Sequence, residues 1–409
     1  MEMGRNVPMN TSLLTINSGS SSLKFGLFEA DSCESIASGM IDWAGGTGQA
    51  QLRLRMTSGT QVRQTIEVSC HRTAVVHAVR TLVESGTVLM SPVSVGAVGH
   101  RIVHGGTEFS ASVRIDHSVK AAIARLGVLA PLHNPAALDA IDAMEAALPG
   151  VPQTAVFDTA FFAGMPPHAY VYPVPYEWHA DWGIRRFGFH GISHAYCAGR
   201  AAELLGGDQA NLRLVICHLG NGCSATAVRG GTAVATTMGF TPMEGLMMGS
   251  RSGSVDPGIL LHVQREHGLT VEQLDHALNR ESGLLGVSGV SSDFRLVEAA
   301  ALQGHQRAQL ALRLHADRVR AAIGAMAVGI GGVDAVVFTA GVGENSASLR
   351  SAVAEGLQCL GLYLDEVRNR EVSPDADIAT SASPGRILVI GTREELMIAR
   401  EARRLITTT

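Results

Sequence analysis

The feature that most constrains this chain is an internal echo. Residues 13–29 (LLTINSGSSSLKFGLFE) and 214–231 (LVICHLGNGCSATAVRGG) both run an apolar strand, an Asn beside a Gly, small hydroxyl residues and a second apolar strand. The two copies stand about 200 residues apart in a chain of 409. The sequence therefore reads as two related halves, each opening with a strand, a phosphate-sized turn and a strand.

Around this echo, short β-branched runs alternate with helical periodicity, the pattern of α/β architecture with a largely parallel sheet. Strands are expected at 13–17, 93–98, 153–157, 212–219, 335–339 and 386–390, and an antiparallel hairpin over 51–69. Asn134-Pro135 and Asp256-Pro257 each supply a helix cap followed by Pro at the first helical position. Thr392 with Glu395 reads as the capping box of a C-terminal helix. The apolar stretch 321–343 is broken by Gly331-Gly332 and Asp334, so it reads as buried helix, turn and strand rather than as a membrane span.

Composition removes several classes. Hydrophobic content of 46 % with 17 % charged residues excludes disorder as the main character. A net charge of −5 with no basic block gives nucleic-acid binding no electrostatic support. Six scattered cysteines without a C-x-x-C imply reduced thiols in the cytoplasm, with neither a disulfide framework nor a zinc knuckle. The N-terminus MEMGRNVPMNTS lacks an apolar core, so no secretory signal is expected.

The 46 glycines concentrate in segments that also carry the chemistry. NSGSSSLK (17–24) offers a tight turn whose amides, with Ser20, Ser21 and Ser22, line an anion, beside one of only two lysines in the chain. It is not a Walker A loop, because the Lys follows the turn on a strand. HLGNGCS (218–224) is a second cradle; GHRIVHGG (99–106) places Arg101 after a strand among glycines. FTAGVGENS (338–346) ends a strand and leads into a helix, with small residues that leave room for a flat ring. The long Gly/Met-rich stretch 236–258 carries Arg251 as its single cation and reads as a functional or mobile surface loop. His190 and His194 have zinc-like i, i+4 spacing, but the Glu of H-E-x-x-H is absent, and a helix cap at Ser193 is the better reading. Asp158 ends a strand, and ten aromatics between Phe157 and Phe189 mark a packed hinge or subunit interface.

Taken in order, these segments resemble the acetokinase family, within the larger sugar-kinase, chaperone-ATPase and actin superfamily. The resemblance implies two duplicated ribonuclease-H-like α/β domains with an interdomain active-site cleft. The first would span 12–158 plus 395–409, the second 159–394. It also implies reversible transfer of a phosphoryl group from ATP to acetate, giving ADP and acetyl phosphate, in a cytoplasmic homodimer. Asn17 and Glu394 would hold Mg²⁺, for which Mn²⁺ can substitute, and Lys24 would contact nucleotide. Arg101 and Arg251 would hold the carboxylate and the transferring phosphoryl group, with Asp158 catalytic and His190 stabilising the transition state. His218, Leu219, Gly220, Asn221 and Gly222 would form the phosphate turn. Asp293, Phe294 and Arg295, with Gly341, Val342, Gly343, Glu344 and Asn345, would surround adenosine. Val103, Leu132 and Pro242 would enclose the acyl methyl. The sequence departs from the family at Ser254, where Asp is usual, at Phe294, where Met is frequent, and in a twelve-residue N-terminal extension. Kinases of propionate or other short carboxylates, and actin-like or chaperone-like ATPases, share parts of this pattern.

The chemistry suits these residue types. A loose phosphoryl-transfer transition state spreads negative charge over three oxygens, which two arginines, a cationic His190 and Mg²⁺ would meet. A carboxylate of ordinary pKa, about 4, is already ionised, so the acceptor needs no base. Asp158 then reads as an orienter of an arginine or of the metal's ligand sphere rather than as a proton acceptor.

Overall fold

A computed structural model describes residues 11–19, 22–43, 48–86 and 94–407. Ser20 and Ser21 of the first turn, Val93 and residues 1–10 lie outside the described residues. The chain forms two compact units, one from the described residues up to Phe161 together with those from Arg393, the other Phe162–Thr392. The breaks thus fall after Phe161 and after Thr392, where the sequence reading put them after 158 and 394.

The first unit contains strands β1 (Ser12–Ser18), β2 (Ser22–Glu29), β3 (Ser35–Asp42), β4 (Gly48–Met56), β5 (Gln61–Val68), β6 (Val95–Ile102), β7 (Val113–Arg114) and β8 (Gln153–Phe157). They form one sheet in the order β5-β4-β3-β2-β1-β6-β8-β7. The second unit contains β9 (Arg213–Leu219), β10 (Cys223–Arg229), β11 (Thr232–Thr236), β12 (Ala335–Thr339), β13 (Ala376–Asp377) and β14 (Arg386–Val389), ordered β11-β10-β9-β12-β14-β13. Both sheets hold the same five-strand nucleus. An antiparallel meander (β1-β2-β3; β9-β10-β11) is extended by two strands parallel to its first member (β6, β8; β12, β14). The echo in the sequence is this repeated nucleus, in the ribonuclease-H-like order.

Each first strand is central, so both of its faces are covered and its sequence is apolar without a solvent side. In β1 successive residues alternate between faces. Leu14 and Ile16 pack with Leu23, Phe25 and Leu27 beneath the helices His71–Glu84 and Asn134–Ala147. Leu13 turns the other way, joining Phe28 and Ala97 against Ala399, Ala402 and Ile406 of the helix Glu394–Thr407. That helix lies so close that a Cβ on Gly99 of β6 would come within 2.6 Å of Ile398. Full burial of each such Leu or Ile contributes about 1.5–3 kcal/mol, which fixes the helix start, and with it Glu394, on the sheet.

Element ends show where tertiary partners displaced local expectations. Asp256 caps the helix Pro257–His267 as expected, accepting from the Gly258 N–H. Asn134 does not cap its helix. Its buried amide instead accepts from the His104 N–H (3.2 Å) and donates to the His104 carbonyl (3.0 Å), clamping the segment after β6. The Thr392 hydroxyl is drawn to Thr339 (2.9 Å) and to the Ala340 N–H (2.8 Å), a helix-start donor that needs an acceptor, so Thr392 is not the box partner of Glu395. The helix Gly191–Leu205 starts directly after His190, which itself occupies the cap position at φ 60°, and Ser193 lies in the first turn. The hairpin β4-β5 and the helix–turn–strand over 321–343 form as read. Among the described residues no helix is long and apolar enough to cross a membrane.

The segment between Thr236 and Pro257 contains neither helix nor strand, yet much of it is packed into the second unit rather than lying on the surface. Met238, Leu246, Met247 and Met248 are buried. Arg186 ties it down through Glu244 (2.6 Å) and the Thr237 and Met238 carbonyls. Its glycines serve that packing: a Cβ on Gly249 would sit 2.1 Å from Asn221 Oδ1.

Candidate active site

In the first unit, Asn17, Arg101 and Asp158 come from the carboxyl ends of the adjacent parallel strands β1, β6 and β8, where open α/β sheets collect ligand-binding groups. Asp158 is fully buried, and its Oδ2 accepts from Arg101 Nε (3.0 Å) and Nη2 (2.6 Å). Arg101 Nη1 donates to Asn17 Oδ1 (3.0 Å), and Asn17 Nδ2 donates to Glu394 Oε2 (3.3 Å). Residues 377 positions apart thus share one network. Burial opposes the charge on Arg101, but Asp158, Glu394 and Glu395 outweigh it and raise its pKa.

Three carboxylates face one guanidinium here, leaving a negative balance. Glu395 Oε1 is buried with no hydrogen-bond partner among the described residues. An oxygen-rich, net-negative cluster fits a hard divalent cation. Among the described residues no group of three or more His, Cys, Asp or Glu side chains is placed to hold a metal ion by itself; Mg²⁺ ordinarily keeps several waters and takes one or two carboxylates together with substrate phosphates. Lys24 stands opposite Asn17 in the β1–β2 register and is exposed. Val103 follows β6 and is buried, whereas Leu132, before the helix Asn134–Ala147, is 54 % exposed.

The second unit builds its counterpart on the β9–turn–β10 hairpin. Its register sets His218 opposite Ser224 across the turn Gly220–Gly222. The Ser224 hydroxyl lies 2.9 Å from His190 Nδ1 and 2.8 Å from His194 Nε2, so the i, i+4 histidines meet on one hydroxyl. Ser193 Oγ lies 2.8 Å from His218 Nδ1. The His190 and His218 rings stack with centroids 4.1 Å apart. Burial, and then the nearness of His218, push the His194 pKa well below its ordinary value.

Arg251 differs from Arg101 in having no acid. Among the described residues it makes no ion pair, and its hydrogen bond is one of 3.3 Å from Nη1 to the Pro242 carbonyl. Burial lowers its pKa and the charge of Arg280 lowers it further. A Cβ on Gly222 would come within 3.3 Å of His190 Nε2 and 3.9 Å of Arg251 Nη1. The glycine therefore keeps open a space flanked by an imidazole and an unneutralised guanidinium, which is the setting an anion requires.

The segments expected around adenosine are adjacent through the helices Phe294–Leu302 and Ala347–Ala354, whose side chains Glu298 and Ser348 are hydrogen-bonded. Asp293 caps the first of these helices and pairs with Arg295 (2.6 Å), which is exposed. Phe294 is turned inward, edge-on to His315. Gly341–Asn345 lie in the short helix Ala340–Asn345; a Cβ on Gly341 would meet nothing within 4 Å, and Glu344 accepts from the Thr392 N–H. The sequence marks Ser193 and Glu395 only as helix-capping residues, and Ser224 only as the end of the 218–224 cradle; their places among the site's histidines and carboxylates were not foreseen. Ser224 was within reach, because a strand–turn–strand motif with a three-residue turn sets residues 218 and 224 face to face.

Comparison with known proteins gives the same assignment over almost the entire length. The sequence model of the acetokinase family matches residues 12–400. The chain is 49 % identical over 403 residues to an acetate kinase of Cyanothece sp., covering 97 % of this chain and 98 % of that one. Against an acetate kinase of Gloeobacter violaceus it is 51 % identical over 398 residues, with 95 % and 98 % covered. The crystal structure of Porphyromonas gingivalis acetate kinase matches with a TM-score of 0.89 and 41 % identity over 97 % of this chain and all of that one. A propionate kinase from Francisella tularensis matches with the same TM-score at 36 % identity and the same coverage. With this agreement along the sequence, the repeated strand order and the paired arginine sites, the chain belongs to the acetokinase family, the carboxylate-accepting phosphotransferases.

Proposed function

We propose that the protein transfers the γ-phosphoryl group of ATP to acetate, reversibly and with Mg²⁺, giving ADP and acetyl phosphate. The observation that carries this reading is Arg251: a partly buried guanidinium with no acid partner among the described residues, beside His190 and above the Gly222 turn. A charge in that position is costly unless an anion completes it.

The acceptor is ionised at neutral pH and needs no base. Asp158, already engaged by two N–H groups of Arg101, orients that guanidinium. Arg101 spends three of its five N–H donors on Asp158 and Asn17, and the remaining two hold the acetate carboxylate. One acetate oxygen forms a bond to the γ-phosphorus as the bond to the bridging oxygen of ADP breaks. Arg251, the amides of the His218–Gly222 turn and His190 meet the charge on the three transferring oxygens. Asn17 and Glu394 are the residues that would hold Mg²⁺, with Asp158 and Glu395 near them; when bound, the ion neutralises phosphate charge. Gly341–Asn345 and the Asp293–Arg295 pair frame the nucleoside, Gly341 offering the open surface. Val103, buried just after β6, limits the acyl group, so acetate is preferred over propionate. Tyr176 and Trp182, both more than half exposed, with Trp178 stacked on Trp182, supply the face of a homodimer in the cytoplasm.

Steady-state ADP release as a function of acetate tests the proposal. Acetate-dependent turnover that collapses in Arg101→Ala and Arg251→Ala supports it. ADP release indifferent to carboxylate assigns an ATPase instead.

A further inference from the structure

The hydroxyl of Ser224 has one proton and touches two imidazoles. Its orientation is decided by His194. That ring is completely buried, and its Nδ1 has no hydrogen-bond partner among the described residues, while Nε2 faces Ser224 at 2.8 Å. Burial together with the nearby His218 keeps the ring neutral, so it carries one N–H. Two placements of that hydrogen exist. On Nδ1 it would be a buried donor with nothing to receive it, the rarest and costliest form of unmet polar group. On Nε2 it is donated to Ser224 Oγ, and the atom left unmatched is only an acceptor.

With Ser224 Oγ receiving from His194, its own hydrogen must go to His190 Nδ1, 2.9 Å away. A nitrogen that accepts cannot carry a proton. The proton of a neutral His190 is then on Nε2, the atom closest to the space above Gly222. Protonating Nδ1 as well would make Ser224 receive from both rings and strand its hydrogen. It would also set an imidazolium against the His218 ring, 4.1 Å away.

We infer that Ser224 and His194 are positioning residues that lock His190 as the uncharged Nε2–H tautomer, aimed as a hydrogen-bond donor at the phosphoryl position. The inference rests on the proposed function only for what His190 faces; the lock itself is a property of the free protein. It replaces the cationic His190 expected from the sequence with a neutral donor, and leaves Arg251 as the cation on this side of the phosphoryl group.

The test is the ¹⁵N spectrum of the full-length protein labelled at histidine, at neutral pH, with His190 assigned through His190→Asn. The expected result is a neutral His190 with the proton on Nε2. In Ser224→Ala the signal moves to a mixture of tautomers, and kcat falls about tenfold or more with the KM for acetate little changed. His194→Gln, whose amide nitrogen can still donate to Ser224, keeps the wild-type signal, while His194→Leu loses it. A proton on His190 Nδ1, an imidazolium at neutral pH, or an unchanged His190 signal in Ser224→Ala overturns the inference. The spectrum is read without substrate, so a wrong reaction assignment appears in the kinetics while the lock stands or falls in the spectrum.

Discussion

Arg251→Met separates a catalytic arginine from a structural one. The side chain has one hydrogen bond, of 3.3 Å, and no acid partner among the described residues. Losing that bond from a charged donor costs at most about 1.5–3 kcal/mol. Against this, removing the charge relieves its desolvation and its repulsion by Arg280, and Met retains the apolar stem. The two effects offset to within about 1 kcal/mol, a change in Tm of about 2–4 °C at this domain size. Activity behaves differently, because a guanidinium that meets charge on a transferring phosphoryl group is worth about 10³–10⁵ in kcat. Asp158→Ala is the contrast. It removes the acid that holds Arg101 at 2.6 Å and should cost about 3–5 kcal/mol of stability as well as activity. Thermal melts and initial rates on the same preparations decide. An Arg251→Met protein that melts as low as Asp158→Ala, or that keeps more than about a tenth of wild-type kcat, refutes the reasoning.

Glu394→Gln should raise the Mg²⁺ concentration for half-maximal activity about tenfold with little change in Tm, measured by metal titration at saturating ATP. Against acetate, propionate should lose about tenfold or more in kcat/KM and butyrate more again, since each methylene is worth about 1–3 kcal/mol in an apolar pocket; equal values for propionate would reassign the acyl preference. Burial lowers the pKa of His100 and of His104 to about 4. The unfolded chain therefore binds more protons than the folded one between pH 6.5 and 4, and stability present at neutral pH is lost as pH falls through that window. Each ring contributes about 3 kcal/mol to this loss, which urea unfolding at pH 7, 5.5 and 4.5 will show, flattened in His100→Gln. If Tyr176 and Trp182 form the proposed dimer face, Trp182→Asp should lower the sedimentation coefficient relative to wild type, to that of a monomer.

How far the sequence carried the fold and the site depended on whether a signal was local. The repeated strand–turn–strand implied two equivalent sheets because the motif holds an entire register: Asn17 faces Lys24 and His218 faces Ser224 through hairpin geometry alone. Asn134 and Thr392 misled because their side chains cap equally well in isolation, and only the folded protein shows that the His104 backbone and the Ala340 N–H compete for them. The Gly/Met-rich stretch 236–258 reads as a functional or mobile surface loop, yet its Gly249 and Gly239 make room for the protein's own Asn221 and Glu244, whereas Gly222 keeps open the space between His190 and Arg251. What distinguishes Arg101 from Arg251 is the set of acids that act on it. For Arg101 these are Asp158 at 2.6 Å and the charges of Glu394 and Glu395 from the far end of the chain, a long-range fact that no spacing rule in the chain contains.

The central claim is that the phosphoryl group of ATP is delivered to a carboxylate oxygen. Hydroxylamine trapping with ATP, Mg²⁺ and acetate measures this most directly. Acetohydroxamate should form in equal amount to ADP, with both abolished by leaving out acetate and reduced about 10³-fold in Arg251→Met. ADP produced at the same rate without acetate, with no hydroxamate formed, would contradict it.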